Sequence, residues 1–204
     1  MPVYREFLEK DYQIFIWKYE DGEVFVKEEL LESENFPKVE GYSQLKLLEV
    51  LMVRKLLKTK FPKYKIYYQD KIPYLYPRDF EISITHSFPF SVLGISKKKI
   101  GIDIEKINQR ILNLKDKFAH PDETKLVPES WEMEYFTRLW AIKEGLYKIH
   151  KSKLHSFKNH YKIASFDEQT TEIQCSVYGV DFEDFFVARI EEVEDYCLAI
   201  VLEQ

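Results

Sequence analysis

Asp103 and Glu105 stand two residues apart in the stretch Gly101-Ile102-Asp103-Ile104-Glu105. Side chains alternate along an extended strand, so Ile100, Ile102 and Ile104 fall on one face and Gly101, Asp103 and Glu105 on the other. Acids at i and i+2 lie roughly 6–7 Å apart there, near enough to converge on one divalent cation. Gly101 removes a side chain from the acidic face and leaves room beside it. The same alternation also describes an ordinary solvated strand face. A second set lies in the segment Trp140-Ala141-Ile142-Lys143-Glu144-Gly145-Leu146-Tyr147-Lys148. Helical spacing puts Ala141, Glu144, Gly145 and Lys148 on one face, while Phe136, Leu139, Trp140, Lys143 and Tyr147 share another. Two residues of the first face are very small, which lets a backbone or a ligand come close. Gly145 costs about 1 kcal/mol of helix propensity relative to Ala, so a compensating contact is expected. Read alone, Glu144 and Lys148 equally describe a surface i,i+4 pair. His86, in Thr85-His86-Ser87, is either structural or part of a donor cluster for a phosphate. Lys46 and Arg54 read as the solvated face of a helix, and Lys97–Lys99 as a solvated hairpin tip.

The rest of the chain must position these groups. With 204 residues it has length for one large domain or two small lobes. Hydrophobic residues make up 45% and charged residues 32%, a globular composition. Only 6 Gly are present, which leaves little material for flexible linkers. The net charge of −5 argues against non-specific nucleic-acid binding. No apolar run is long enough to span a membrane, and the opening Met1-Pro2-Val3-Tyr4-Arg5-Glu6 lacks a signal-peptide core. Cys175 and Cys197 have no metal-type spacing and read as buried reduced thiols, consistent with a cytoplasmic protein.

Periodicity predicts a strand over Gln13–Tyr19, an Asp21-Gly22 turn and a short strand at Val24–Val26. A long helix is expected from Ser43 to Lys58, its buried stripe marked by Leu45, Leu48, Leu51 or Met52, and Leu56. A strand follows at Tyr64–Tyr68, then Asp70-Lys71-Ile72-Pro73-Tyr74-Leu75 as a turn into an extended segment, then strands at Phe80–Thr85, Phe90–Ile95 and Ile100–Glu105. Short helical pieces are expected around Arg110–Phe118, and a second long helix over Trp131–Ile149. The last strands are expected near Tyr161–Phe166, Glu172–Tyr178, Phe185–Ile190 and Tyr196–Leu202. Each half thus reads as a strand, a long helix, and about three antiparallel strands. The expected fold is α+β, with two similar lobes related by a pseudo-twofold, 1–99 and 100–204. The acidic strand would open the second lobe at the junction, and clefts between lobes are where ligand sites concentrate.

Taken in order, Asp70-Lys71-Ile72-Pro73-Tyr74-Leu75, Ile82-Ser83-Ile84-Thr85-His86-Ser87, Gly101–Glu105, Lys117-Phe118 to Glu123, and Trp140–Lys148 resemble the 4′-phosphopantetheinyl transferase superfamily in its single-chain, two-lobe form. Its hallmarks are a G-[IV]-D-[IV]-E strand followed by a W-x-x-K-E-[AS]-x-x-K helix. The resemblance covers roughly Lys46 to Lys148. It implies transfer of the phosphopantetheine arm of coenzyme A to a serine of an acyl or peptidyl carrier protein, with Mg²⁺, by a monomer. Asp103, Glu105 and Glu144 would hold Mg²⁺, and Glu144 would also serve as general base. Lys148 would pair with the pyrophosphate, Thr85 and His86 with phosphate groups of coenzyme A, and Lys71 with the nucleotide. Lys46 is the candidate for the 3′-phosphate, with Lys27 and Lys38 as further basic residues in the first lobe. Glu123 matches a family acid near the metal site. The sequence departs from the pattern in three places. Thr85 replaces a usual Ser, one residue is inserted in Asp70-Lys71-Ile72-Pro73, and Gly145 replaces Ala or Ser. Two other functions fit the same acids: a metal-dependent phosphohydrolase, and a non-catalytic carrier-binding homologue.

Overall fold

The computed structural model describes residues 3–125, 127–150 and 154–204. Contacts divide the chain into two units, Met1–Lys98 and Lys99–Gln204. Each packs a long helix on an antiparallel sheet, so the class is α+β.

In the first unit, β1 (Arg5–Leu8), β2 (Tyr12–Lys18), β5 (Glu81–Ser87) and β6 (Phe90–Ser96) form a four-stranded sheet in the order β1-β2-β6-β5. Two short helices, α1 (Lys27–Leu30) and α2 (Phe36–Val39), precede α3 (Gln44–Lys60). Ser43 caps α3 by accepting from the Lys46 backbone N–H at 3.2 Å. The α3 side chains Met52, Val53, Leu56 and Leu57 pack with Phe15, Trp17, Leu93 and Ile95 in the core of this unit. The expected stripe is therefore shifted: Leu45 is 48% exposed. Arg54 does not lie on a solvated face but is 2% exposed. Its guanidinium is compensated by Glu32 at 3.6 Å and the Tyr68 hydroxyl at 3.3 Å. Other expectations also change. β1 forms where none was foreseen, and Val24–Val26 is not a strand. β3 (Lys65–Gln69) and β4 (Ile72–Tyr76) make their own two-stranded ribbon. Asp70 (φ 51°) and Lys71 (φ 68°) close that ribbon, the pairing of positive φ values that a tight hairpin turn requires. Lys97–Lys99 is no hairpin tip, because the strands on either side of it belong to different sheets.

In the second unit, β7 (Ile100–Lys106) is an edge strand of a five-stranded sheet. The other strands are β8 (Tyr161–Ile163), β9 (Ile173–Tyr178), β10 (Glu183–Val193) and β11 (Tyr196–Glu203), in the order β7-β11-β10-β9-β8. The short helices α4 (Lys115–Phe118) and α6 (Phe157–His160) flank the long helix α5 (Glu132–Ile149). Glu132 and Glu134 in the first turn of α5 and Lys148 in its last complement the helix dipole. The register pairs Gly101 with Val201, Asp103 with Ala199 and Glu105 with Cys197. These residues share the face covered by α5, where Ala199 and Val201 join Leu139, Ile142 and Leu146 in one core. Both cysteines are free and buried, and burial pushes the Cys175 thiol up to about 12.

Two glycines set how closely α5 lies on β7. A Cβ built on Gly101 would stand 2.0 Å from the Gly145 carbonyl oxygen, and one on Gly145 would stand 2.7 Å from Val201 Cγ2. The space left by Gly101 is thus filled by the helix backbone; it is not room for a ligand. Gly101→Ala should lose about 3 kcal/mol of unfolding free energy in urea, because a backbone carbonyl cannot step aside as a side chain can. Gly22→Ala, with nothing within 4 Å of the new Cβ but a φ of +88°, should lose only about 1 kcal/mol. Equal stability of Gly101→Ala and the unsubstituted chain would contradict this packing.

Candidate active site

Close packing of α5 on β7 brings the two sequence motifs face to face. Asp103 is 5% exposed, so the acidic strand is not a solvated face. Lys148 donates from Nζ to Asp103 Oδ1 at 2.7 Å and to the Ile102 carbonyl at 2.9 Å. Trp140 donates from Nε1 to Glu105 Oε1 at 3.1 Å. Trp140, Glu144 and Lys148 are spaced i, i+4, i+8 on one line of the helix. Glu144, half-buried between the other two, feels the Asp103 charge directly. Burial first, and the Asp103 charge second, push the Glu105 carboxyl up to about 7, against the opposing Trp140 hydrogen bond. The same two causes raise Glu144, with Lys148 offsetting them.

Among the described residues no three His, Cys, Asp or Glu side chains stand close enough together to hold an ion. As a donor set, however, Asp103, Glu105 and Glu144 suit a hard divalent cation. All are carboxylates, and the Lys148 ammonium offsets part of their mutual repulsion.

The neighbouring face of α5 carries a buried hub. Lys143 is 0% exposed, and its ammonium donates to the Phe118 carbonyl (2.9 Å), Glu123 Oε2 (2.7 Å) and the Phe157 carbonyl (3.2 Å). Glu123 also accepts from the backbone N–H groups of His120 (2.7 Å) and Ile163 (3.1 Å). Glu123, the acid matched by resemblance to the metal site, is therefore committed to Lys143. Burial pushes the Lys143 pKa down while the Glu123 charge holds it up. Sequence reasoning counted Lys143 on an apolar stripe and missed this role. A lysine at a core position is itself the signal, since it demands a buried counter-charge.

The remaining candidates lie in the first unit. The Lys46 ammonium meets His86 Nε2, and Glu49 joins them at 3.2 Å from His86 Nδ1 and 3.6 Å from Lys46 Nζ. Thr85 and His86 are successive residues of β5 and leave the sheet on opposite faces; Thr85 is buried. Lys71 is exposed at the ribbon turn. Lys27 and Lys38 rest over the rings of Phe36 and Tyr68, at 4.3 and 4.4 Å. A cavity of about 1090 Å³ opens in the second unit beside Trp131, Tyr135 and Phe166, and none of Asp103, Glu105, Glu144 or Lys148 lines it.

This constellation has counterparts. The profile of the 4′-phosphopantetheinyl transferase superfamily matches residues 99–201, half of the chain and the whole of the strand and helix just described. The chain belongs to that superfamily. It is 26% identical over 125 residues to a 4′-phosphopantetheinyl transferase of Bacillus subtilis, covering 60% of this chain and 54% of the relative. Over 73 residues it is 33% identical to the 4′-phosphopantetheinyl transferase gsp of Aneurinibacillus migulanus, covering 34% of this chain and 31% of the relative. The chain thus matches about half the length of the first curated relative and less of the second. No helix among the described residues is long and apolar enough to cross a membrane.

Two outcomes follow from the electrostatics of superfamily motifs packed in this way. Lys143→Met should lose about 3–5 kcal/mol in chemical denaturation, because Glu123 is left buried without its cation. A loss under about 1 kcal/mol would show that the hub is not intact in solution. Glu105 holds its proton more tightly folded than unfolded. Both states are protonated at low pH, the unfolded state ionises first as pH rises through about 4.5, and the resulting loss of stability is complete above about 7. Glu105→Gln removes that loss. Without added divalent cation it should match the unsubstituted chain near pH 4 and exceed it by about 1–3 kcal/mol at pH 8. Parallel stability curves for the two proteins would contradict the burial assigned to Glu105.

Proposed function

We propose that the chain transfers the 4′-phosphopantetheine arm of coenzyme A to a serine hydroxyl of an acyl or peptidyl carrier protein, releasing adenosine 3′,5′-bisphosphate. The observation that carries this is the packing of α5 on β7, which puts Lys148 on Asp103, Trp140 on Glu105 and Glu144 within range of the Asp103 and Glu105 charges, in a member of this superfamily. The names of the matched relatives support the same reaction class.

The chemistry assigns work to each group. The serine oxygen forms a bond to the β-phosphorus of coenzyme A. The bond from that phosphorus to the bridging oxygen breaks, and its electron pair leaves with the nucleotide. Glu144 takes the serine proton, directly or through a water. Its raised proton affinity suits a base better than an ordinary surface carboxylate would. Lys148, already at the acids, turns its ammonium from Asp103 to the pyrophosphate. Asp103, Glu105 and Glu144 would hold Mg²⁺, which when bound supplies neutralisation of the pyrophosphate charge. In the first unit, Lys46 fits the 3′-phosphate, the adjoining His86 fits phosphate groups of coenzyme A, and exposed Lys71 fits the nucleotide. Thr85 faces away from His86, so its share would be limited to its backbone.

Incubation with coenzyme A, Mg²⁺ and apo carrier protein should raise the intact carrier mass by one phosphopantetheine group. Glu144→Gln should slow the transfer at least about 100-fold. Absence of any mass gain across fatty-acid, polyketide and peptide carriers would overturn the assignment. Hydrolysis of coenzyme A without a carrier would point instead to a phosphohydrolase, and carrier binding without coenzyme A affinity to a non-catalytic protein.

A further inference from the structure

Trp140 touches the acidic cluster in a way no charge requirement explains. Its indole N–H reaches Glu105 Oε1 at 3.1 Å. An indole nitrogen of this kind only donates, so it can neither bind a cation nor accept a proton. Whatever Trp140 does at the site, it does through Glu105. The ring is itself held. Phe118 packs edge-on against it at 5.1 Å between centroids, and Phe157 packs tilted against it at 5.4 Å. The backbone carbonyls of those same two residues both accept from the Lys143 ammonium. A continuous set of contacts therefore runs from the buried Glu123–Lys143 pair, through Phe118 and Phe157, to the indole and on to Glu105.

Glu105 needs such support. It lies near the end of an edge strand, half-buried, on a side chain with several rotatable bonds. An unheld carboxylate would lose rotamer freedom on binding a ligand. One oxygen fixed by the indole leaves the other as a donor in a set position. We propose that Trp140 is a positioning residue that presents Glu105 to the divalent cation, and that the Phe118–Phe157 clamp keeps the indole in place for this task. The inference rests on the metal reading of Asp103, Glu105 and Glu144. Hydrogen-bond partners that orient metal-bound groups typically change metal affinity about 10–100-fold when removed.

The test uses the full chain, ¹⁵N-labelled and titrated with Mg²⁺ alone, followed by NMR. Trp140→Phe keeps an aromatic ring between Phe118 and Phe157 while removing the N–H together with part of the fused ring. It identifies the Trp140 indole resonance by its loss. In the unsubstituted chain that resonance should shift as Mg²⁺ is added. Trp140→Phe should raise the Mg²⁺ dissociation constant about tenfold or more and raise the Mg²⁺ concentration needed for half-maximal transfer, with the melting temperature little changed. In a Glu105→Ala background, Trp140→Phe should have no further effect on Mg²⁺ affinity, because the group it acts through is gone. Equal Mg²⁺ affinity of Trp140→Phe and the unsubstituted chain would overturn the positioning role while leaving the metal site standing. Equal, undiminished losses from Trp140→Phe with and without Glu105 would overturn it too. No Mg²⁺-dependent shift at any of Asp103, Glu105 and Glu144 would overturn the metal reading and the inference with it.

Discussion

The backbone contact between Gly101 and Gly145 is the constraint on which the rest depends. A single methyl on Gly101 would meet the Gly145 carbonyl at 2.0 Å. Because neither residue carries a side chain, α5 settles directly on the edge strand β7. That closeness turns an alternating strand pattern into a buried acidic face. Lys148 then reaches Asp103, Trp140 reaches Glu105, and Glu144 stands between them. With an ordinary interaxial spacing these pairs would be bridged by water, and the carboxylates would behave as surface groups.

The arrangement carries an electrostatic penalty. Three acids and one lysine are packed where solvent screens them poorly, and burial and mutual repulsion raise the proton affinity of Glu105 and Glu144. Perturbed groups of this kind concentrate at functional sites, which supports the proposed reading. The neighbouring face of α5 works in the opposite sense. Lys143 and Glu123 are fully satisfied by one another and by backbone groups, and they tie α4, α6, β8 and α5 together. One helix thus presents a face of crowded, incompletely balanced charge and a face of balanced, load-sharing charge.

Much of this was legible in the sequence. Period-2 alternation gave β7, and a 3.6 period gave α5 to within a residue. The small residue at 145 within a good helix signalled a close approach. What approaches was not legible, because a glycine records only that something fills its space. The groups that approach are the Val201 side chain of β11 and, further off, the Gly101 carbonyl oxygen of β7. Arg54 and Lys143 were misjudged for one reason: helical spacing reports which residues share a face, and a long cation on a buried face looks polar until its partner is known. Those partners, Glu32 and Glu123, lie 22 and 20 residues away in irregular segments with no periodicity to read. The strand, turn and extended segment of the β3–β4 hairpin were legible, but its separation into a ribbon of its own was not, since strand pattern does not say which sheet a hairpin joins. Among the candidate ligands of the first unit, the adjacency of Thr85 and His86 in sequence suggested a shared cluster, while the pleat separates their side chains.

The most direct test of the central claim is a crystal structure of the chain with coenzyme A and Mn²⁺ in place of Mg²⁺, the metal located by its anomalous signal. The account predicts one peak bonded to oxygens of Asp103, Glu105 and Glu144 at about 2.1–2.2 Å, with the Lys148 ammonium moved from Asp103 to a phosphate oxygen. A metal and pyrophosphate bound elsewhere, with Lys148 still on Asp103, would contradict it.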